Sequence, residues 1–273
     1  MNTSGLVDSH IHLTDFDPGT DIAALVGKAA AHGVSHMVCN ATSESDWSAV
    51  LKAASDCPGV IPCFGLHPWF VMRRSGQWLI KLEELIKNNE CGVGEMGLDR
   101  CADLLDKDAQ EEAFRAQLDL AYRYCRPAMV HCVRSWGWMM DVLRSTHHLP
   151  KMVVHAFGGS VDMIKALADM GAYFSFSATV LNDNFKRARA ALLSVPPDRL
   201  LVETDAPNMI PPEPFRLERI TGTSGEMNHP ANLAAITDGI ASLLGESPDA
   251  LREMLWNNAC DFFGDLLDND TAE

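Results

Sequence analysis

The feature that most constrains this chain is an alternation. Short apolar runs recur at residues 5–11, 34–40, 59–65, 91–96, 127–131, 151–156, 172–177 and 199–204, and helical spacing fills the stretches between them. A short apolar run bounded by turn residues reads as a buried strand. Strands alternating with helices predict a parallel sheet, because a parallel pair needs a long crossover and a helix supplies it. Eight such units predict an α/β fold closed as a (β/α)8 TIM barrel rather than an open doubly wound sheet. The clearest helix is 107–125, where Phe114, Leu118, Ala121 and Cys125 share one face. Ser160 and Gly171 read as the N-cap and C-cap of another. Residues 230–244 and 248–263 read as two helices with no strand after them. No linker rich in Pro, Gly or Ser divides the chain, so 1–273 is expected to be a single domain. The longest irregular stretch, 206–228, follows the eighth strand, where long loops are often functional.

Twenty-two basic against 37 acidic residues give a net charge of −15. That argues against broad, sequence-blind binding of nucleic acid, which relies on Lys and Arg to release counterions. A local basic contact, or a metal that handles phosphate, stays open. The eight cysteines form no CxxC pair, so a zinc ribbon has no support. Several lie in apolar runs, where a free Cys behaves as a small hydrophobe. Nothing reads as a signal peptide or a bilayer span. The expectation is a soluble, cytoplasmic protein without a membrane or an obligatory protein partner.

Polar residues gather at the ends of the apolar runs. The first ends in His10 and His12, the third in His67, the fourth in Glu95, the fifth in His131, the sixth in His155, and the eighth in Glu203 and Asp205. In a barrel these C-terminal ends face one mouth, where active sites form. Residues i and i+2 of a strand point to the same side, so His10 and His12 can bind one metal ion. Four histidines and two acids exceed what one tetrahedral zinc needs. They fit two ions sharing a bridging carboxylate. Glu95, midway round the barrel, is the natural bridge. One ion would take His10, His12, Glu95 and Asp205; the other, Glu95, His131 and His155.

The stretches DSHIHL, GLHPW, GVGEMGLD, MVHC, VVHAFGGS, LLVETDAP, NHPANL and NNACDFFG run in order from residue 8 to 264. Together they resemble the TatD family of metal-dependent hydrolases within the amidohydrolase-like barrels. The resemblance implies a deoxyribonuclease, often of 3′ to 5′ exonuclease type, that needs divalent cations. Carried over, the family's metal residues fall on His10, His12, Glu95, His131, His155 and Asp205, and His67 lies beside the metals facing substrate. The chain departs from the pattern at HCVRSW, where Arg134 lies one place later than usual, and at Ala156, Gly159, Asn208 and His229.

The expected chemistry is hydrolysis of phosphodiester bonds in single-stranded DNA, or at DNA ends, by a metal-activated water. Asp205 is the candidate proton shuttle and Glu203 either orients a ligand or is a salt-bridged acid. The two ions would be Mg, Mn or Zn; imidazole favours Zn or Mn, the family Mg. The alternative is hydrolysis of amide, ester or lactone bonds on the same site, since fold does not decide substrate. A carboxylated lysine bridges many such barrels, and Glu95 stands in its place. Among the remaining residues, Trp69 and Phe157 read as packed aromatics in preference to base-stacking ones, and Arg134 as a surface arginine. Cys132 points to the helix layer, and His32, His36, His147 and His148 read as structural.

Overall fold

The computed structural model describes residues 5–101 and 106–267. The limits of the expected domain, 1–4 and 268–273, lie outside the described residues. Strands and helices alternate: β1 (Leu6–Ile11), α1 (Ile22–Ala31), β2 (Val34–Asn40), α2 (Trp47–Asp56), β3 (Val60–Phe64), α3 (Trp78–Asn88), β4 (Gly92–Asp99) and α4 (Lys107–Arg123). The order continues with β5 (Ala128–Val133), α5 (Trp136–Ser145), β6 (Met152–Val154), α6 (Val161–Asp169), β7 (Ala172–Phe176), α7 (Lys186–Leu192) and β8 (Leu200–Val202). All eight strands are parallel, and each pairs with the next in sequence order. This is the (β/α)8 barrel expected from the alternation.

The β1/β8 seam closes through side chains as much as backbone. Asp205 N donates to His10 O at 3.0 Å and His12 N to Ala206 O at 2.8 Å. Ser9 Oγ donates to Val202 O at 2.8 Å. Fully buried Asp8 accepts from Thr204 N at 2.8 Å and from Thr204 Oγ1 at 2.5 Å. The seam thus sets the ends of β1 and β8 side by side.

Alternation along each strand divides two cores. Val7, Val38, Ile61, Met129, Val153, Tyr173 and Leu201 point into the barrel. There they pack on Ala259, Phe262 and Phe263 of α9 (Pro248–Phe263), which closes the lower end. Intervening strand residues such as Leu6, Val130 and Val154 pack outward with the helices. Cys132 belongs to this outer core, as its parity requires.

Three expectations need correction. First, Cys125 does not extend the buried face of α4: it is exposed, with φ 52°. Cys125 N bonds Tyr122 O and Arg126 N bonds Ala121 O, which is a Schellman stop with Cys in the usual glycine place. Second, Ser160 is the N-cap of α6, as read, though without a side-chain cap bond, but the C-cap is Met170, and Gly171 follows it at φ +85°. Third, 206–228 is not wholly irregular. It carries a hairpin of β9 (Ile220–Gly222) and β10 (Gly225–Met227), tied by Arg216 to Glu226 at 2.9 Å. Asn228 Nδ2 pins the loop to Thr204 O at 2.9 Å. A short 3-10 turn, Pro230–Asn232, then leads into α8 (Leu233–Leu244).

Candidate metal centre

The barrel mouth collects the strand-end residues. His10 and His12 leave β1 on the same side, with Ile11 between them turned into the outer core. Their Nε2 atoms lie 3.1 Å apart. Glu95 Oε2 is 3.4 Å from the first and 3.2 Å from the second, and Asp205 Oδ1 is 3.9 and 3.5 Å from them. The other oxygen, Glu95 Oε1, is 2.8 Å from both His131 Nδ1 and His155 Nε2, which are 3.2 Å apart. Glu95 therefore faces two pairs of imidazoles, one through each oxygen, with His67 Nε2 a fifth neighbour 3.5 Å from Oε1. Gly97 allows this approach of β4 to β5: a Cβ there would sit 1.9 Å from the His131 carbonyl oxygen.

Partners on the far side of His12, His131 and His155 bear on which nitrogen is presented. His12 Nδ1 lies 3.0 Å from Asn40 O; a carbonyl only accepts, so Nδ1 holds the proton and Nε2 offers its lone pair. His131 Nε2 faces Asp99 Oδ2 at 3.3 Å, which leaves Nδ1 for the mouth. His155 Nδ1 faces Glu203 Oε1 at 3.5 Å. The His10 ring stacks on that of His155, with centroids 3.9 Å apart, and its buried Nδ1 has no hydrogen-bond partner. Lone pairs thus face lone pairs and carboxylate oxygens at about 3 Å. Such a donor set fits cations, because only a positive charge makes that convergence favourable. Among the described residues, the groups able to hold a metal ion are His10, His12 and Asp205; His10, His155 and Glu203; and His67, Glu95 and His131.

His67 differs from the other four. Its Nδ1 accepts from Trp69 N at 3.2 Å, so neutral His67 carries its proton on Nε2, which is 3.5 Å from Glu95 Oε1. It offers a donor at the edge of the cluster rather than a lone pair. Glu203 is fully buried behind His155 and does not line the mouth. It accepts from Ala156 N at 2.8 Å and from Ser175 Oγ.

The electrostatics follow from burial and pairing. Burial raises the Asp205 carboxyl to about 6, against the opposing pull of His12 and His155. Burial brings His67 down to about 4. Glu95 stays well below the usual carboxylate range: burial opposes this, and His155, His67 and His10 together prevail over it. Asp99, despite burial, is held at about 2 by hydrogen bonds from His131, Cys101 and Trp69.

Asp8, Asn40 and Asp99 escaped the sequence reading, although Asp8 and Asp99 stand inside the VDSH and MGLD stretches. A motif names neighbours in sequence, whereas these residues act on partners in other strands. Trp69 corrects an expectation. It is 55% exposed at the mouth, not packed, and its Nε1 donates to Asp99 Oδ2 at 2.7 Å. Phe157 is buried, as expected. Arg134 is exposed after β5 at φ 52°, and Asn208 is exposed beyond Asp205. His148 stacks on Tyr122, and His32 lies 3.5 Å from Glu218.

The profile of the family described as TatD related DNase matches residues 7–264. The Escherichia coli K12 protein named uncharacterized metal-dependent hydrolase YjjV is 29% identical, over 94% of this chain and 97% of its own. The Pantoea vagans protein named 3′-5′ ssDNA/RNA exonuclease TatD is 31% identical, over 94% and 99%. The crystal structure of YjjV, described as a TatD homologue, superposes with a TM-score of 0.85 at 28% identity, covering 96% of this chain and 98% of that one. No helix among the described residues is long and apolar enough to cross a membrane. A barrel whose mouth gathers imidazoles around one carboxylate, matched along nearly its whole length, makes this chain a member of the TatD family of metal-dependent hydrolases.

Proposed function

We propose that the chain is a single-domain deoxyribonuclease of 3′ to 5′ exonuclease type, cleaving phosphodiester bonds in single-stranded DNA or at DNA ends with two divalent cations. The observation that carries this reading is the disposition of Glu95, whose two oxygens face two separate pairs of imidazole nitrogens. His10, His12 and Asp205 would hold one ion with Glu95, and His131 and His155 the other. Bound there, the ions supply an activated water and neutralise charge on the phosphoryl oxygens. The relatives named ssDNA/RNA exonucleases support the substrate class. Imidazole-rich donors suit Mn or Zn, and Mg remains a candidate for phosphate chemistry.

The chain's own residues do the rest. Asp205, at the edge of the β1 histidines, takes a proton from the attacking water and returns it to the leaving oxygen. His67 donates from Nε2 to a substrate oxygen. Glu203 and Asp99 orient His155 and His131 from behind. Exposed Trp69 offers a face for a base, and exposed Arg134, with no ion-pair partner among the described residues, offers a planar fork for phosphate.

The test starts from chelator-stripped protein, reloaded in turn with Mg, Mn and Zn. Each form is assayed on 5′-labelled single-stranded DNA and on a panel of esters, amides and lactones. The expected result is metal-dependent shortening of the DNA from its 3′ end. Turnover confined to the amide, ester and lactone panel would overturn the nuclease reading in favour of the other hydrolase chemistry.

A further inference from the structure

The loops that follow β6, β7 and β8 enclose a cavity of about 450 Å³, within the range of small-ligand sites. It adjoins the histidine–carboxylate cluster. Ala156, next to His155, lines one side, and Met209, four residues past Asp205, lines another. Both hold positive φ, 42° and 47°, which side chains other than glycine disfavour and which gathers at ligand-shaped sites. The accessible apolar surface of the lining comes from the polarisable Met209 sulfur and the Phe185 ring, with the buried Phe176 ring behind them, and such surfaces suit the face of a flat π system. Thr179 Oγ1, 3.6 Å from that sulfur and half-buried, gives a hydrogen-bonding group for a heterocycle edge, while buried Ser177 Oγ bonds both Thr179 Oγ1 and the sulfur at 2.9 Å and holds them in place.

The rim carries charge of the opposite sign to the chain as a whole. Lys186 and Arg187, both exposed, line it in a protein of net charge −15. Arg187 Nε is anchored to Gly159 O at 3.3 Å, in the loop after His155. Lys186 has no ion-pair partner among the described residues. Phe185, 50% exposed, stands beside them on the same rim.

We propose that this cavity is a nucleobase subsite: it takes a base flanking the scissile phosphate, while Lys186 and Arg187 hold the adjoining backbone phosphate. The assignment rests on the phosphodiesterase reading above and adds where substrate selectivity arises. An apolar wall with a hydroxyl at its edge and two cations at its rim matches a nucleotide, apolar on its base faces and anionic at its phosphate.

The test uses the metal-loaded full chain and two single-stranded decamers, one intact and one with abasic residues at its two 3′-terminal positions. The wild type is expected to prefer the intact decamer by about ten-fold in kcat/KM, the scale of one base stacked on a protein surface. Thr179→Trp, which fills the cavity, is expected to bring that preference close to one. Lys186→Glu, on an exposed position that leaves folding undisturbed, is expected to raise KM for the intact decamer by about ten-fold. Equal cleavage of both decamers by the wild type overturns the subsite alone. So does wild-type preference in Thr179→Trp together with wild-type KM in Lys186→Glu. Cleavage of neither decamer under any metal overturns the phosphodiesterase reading, and the subsite with it.

Discussion

Replacing Glu95 by Gln tests the two-ion arrangement where it is most exposed to error. The substitution keeps shape and removes one negative charge. It also makes the two ends of the side chain different. If the amide NH2 takes the place of Oε1, it points at His131 Nδ1 and His155 Nε2, each 2.8 Å away; if it takes the place of Oε2, it points at His10 and His12 at 3.4 and 3.2 Å. An NH2 group cannot ligate a cation, and it would donate to those same nitrogens. One pair is therefore lost whichever way the amide turns. The surviving pair keeps a neutral oxygen in place of a carboxylate. Opposite unit charges about 4 Å apart attract by about 4 kcal/mol at an effective dielectric of 20 and a divalent ion doubles that, so losing the charge weakens even that ion by at least roughly a thousandfold. Glu95→Gln should thus bind at most one ion per chain, weakly, and lose more than about a thousandfold in activity. Metal stoichiometry by native mass spectrometry and titration calorimetry would measure this, with circular dichroism to confirm the fold. Glu95→Asp, which keeps the charge, should retain at least one tight ion. A Glu95→Gln protein that holds two ions with affinities within tenfold of the wild type would refute the bridging carboxylate.

Four further outcomes are expected. Asp205→Asn keeps an oxygen for the metal but cannot carry a proton, so metal content should persist while kcat falls by about a hundredfold or more in steady-state assays. Asp99→Ala frees His131 Nε2 and Trp69 Nε1 together; metal affinity should drop about 10- to 100-fold by calorimetry, with a shift in tryptophan emission. His229 accepts from Ala231 N at 3.0 Å and is lowered by burial from 6.5 to about 4. The unfolded chain then binds the extra proton between these values, so stability should fall as pH drops from 6.5 to 4, by up to about 3 kcal/mol. His229→Asn, which keeps the cap without titrating, should flatten that part of the denaturant-derived profile measured in chelator. Finally, oligonucleotide binding should depend only weakly on salt, with a log–log slope near about −2 from the few cations at the mouth; a slope several units steeper would mean contacts across the acidic surface.

Much of the architecture was legible along the chain, because strand burial and helix amphipathicity are local. All eight apolar runs became barrel strands in order, and His10, His12, Glu95, His131, His155 and Asp205 could be named from their places at strand ends. Parity along a strand also placed Cys132 outside the site. What the linear pattern left undecided was every choice that depends on a partner in a distant strand. Asp8 meets Thr204 across 196 positions and Ser9 meets Val202 across 193, and these contacts close the seam that sets Asp205 beside the β1 histidines. The nitrogens that His12, His131 and His155 present follow from Asn40, Asp99 and Glu203, none of them next to the ring it faces. Trp69 lies open at the mouth and Cys125 ends a helix outside the core, against their apolar character, because a hydrogen bond to Asp99 and a backbone stop outweigh it. Apolar spacing and strand parity are properties of neighbours in sequence, and they gave the barrel and the strand ends that carry its mouth residues, though not that Glu203 lies buried behind His155. Proton placement, seam closure and the cavity beside β7 depend on side chains meeting across the barrel, so only the folded chain decided them.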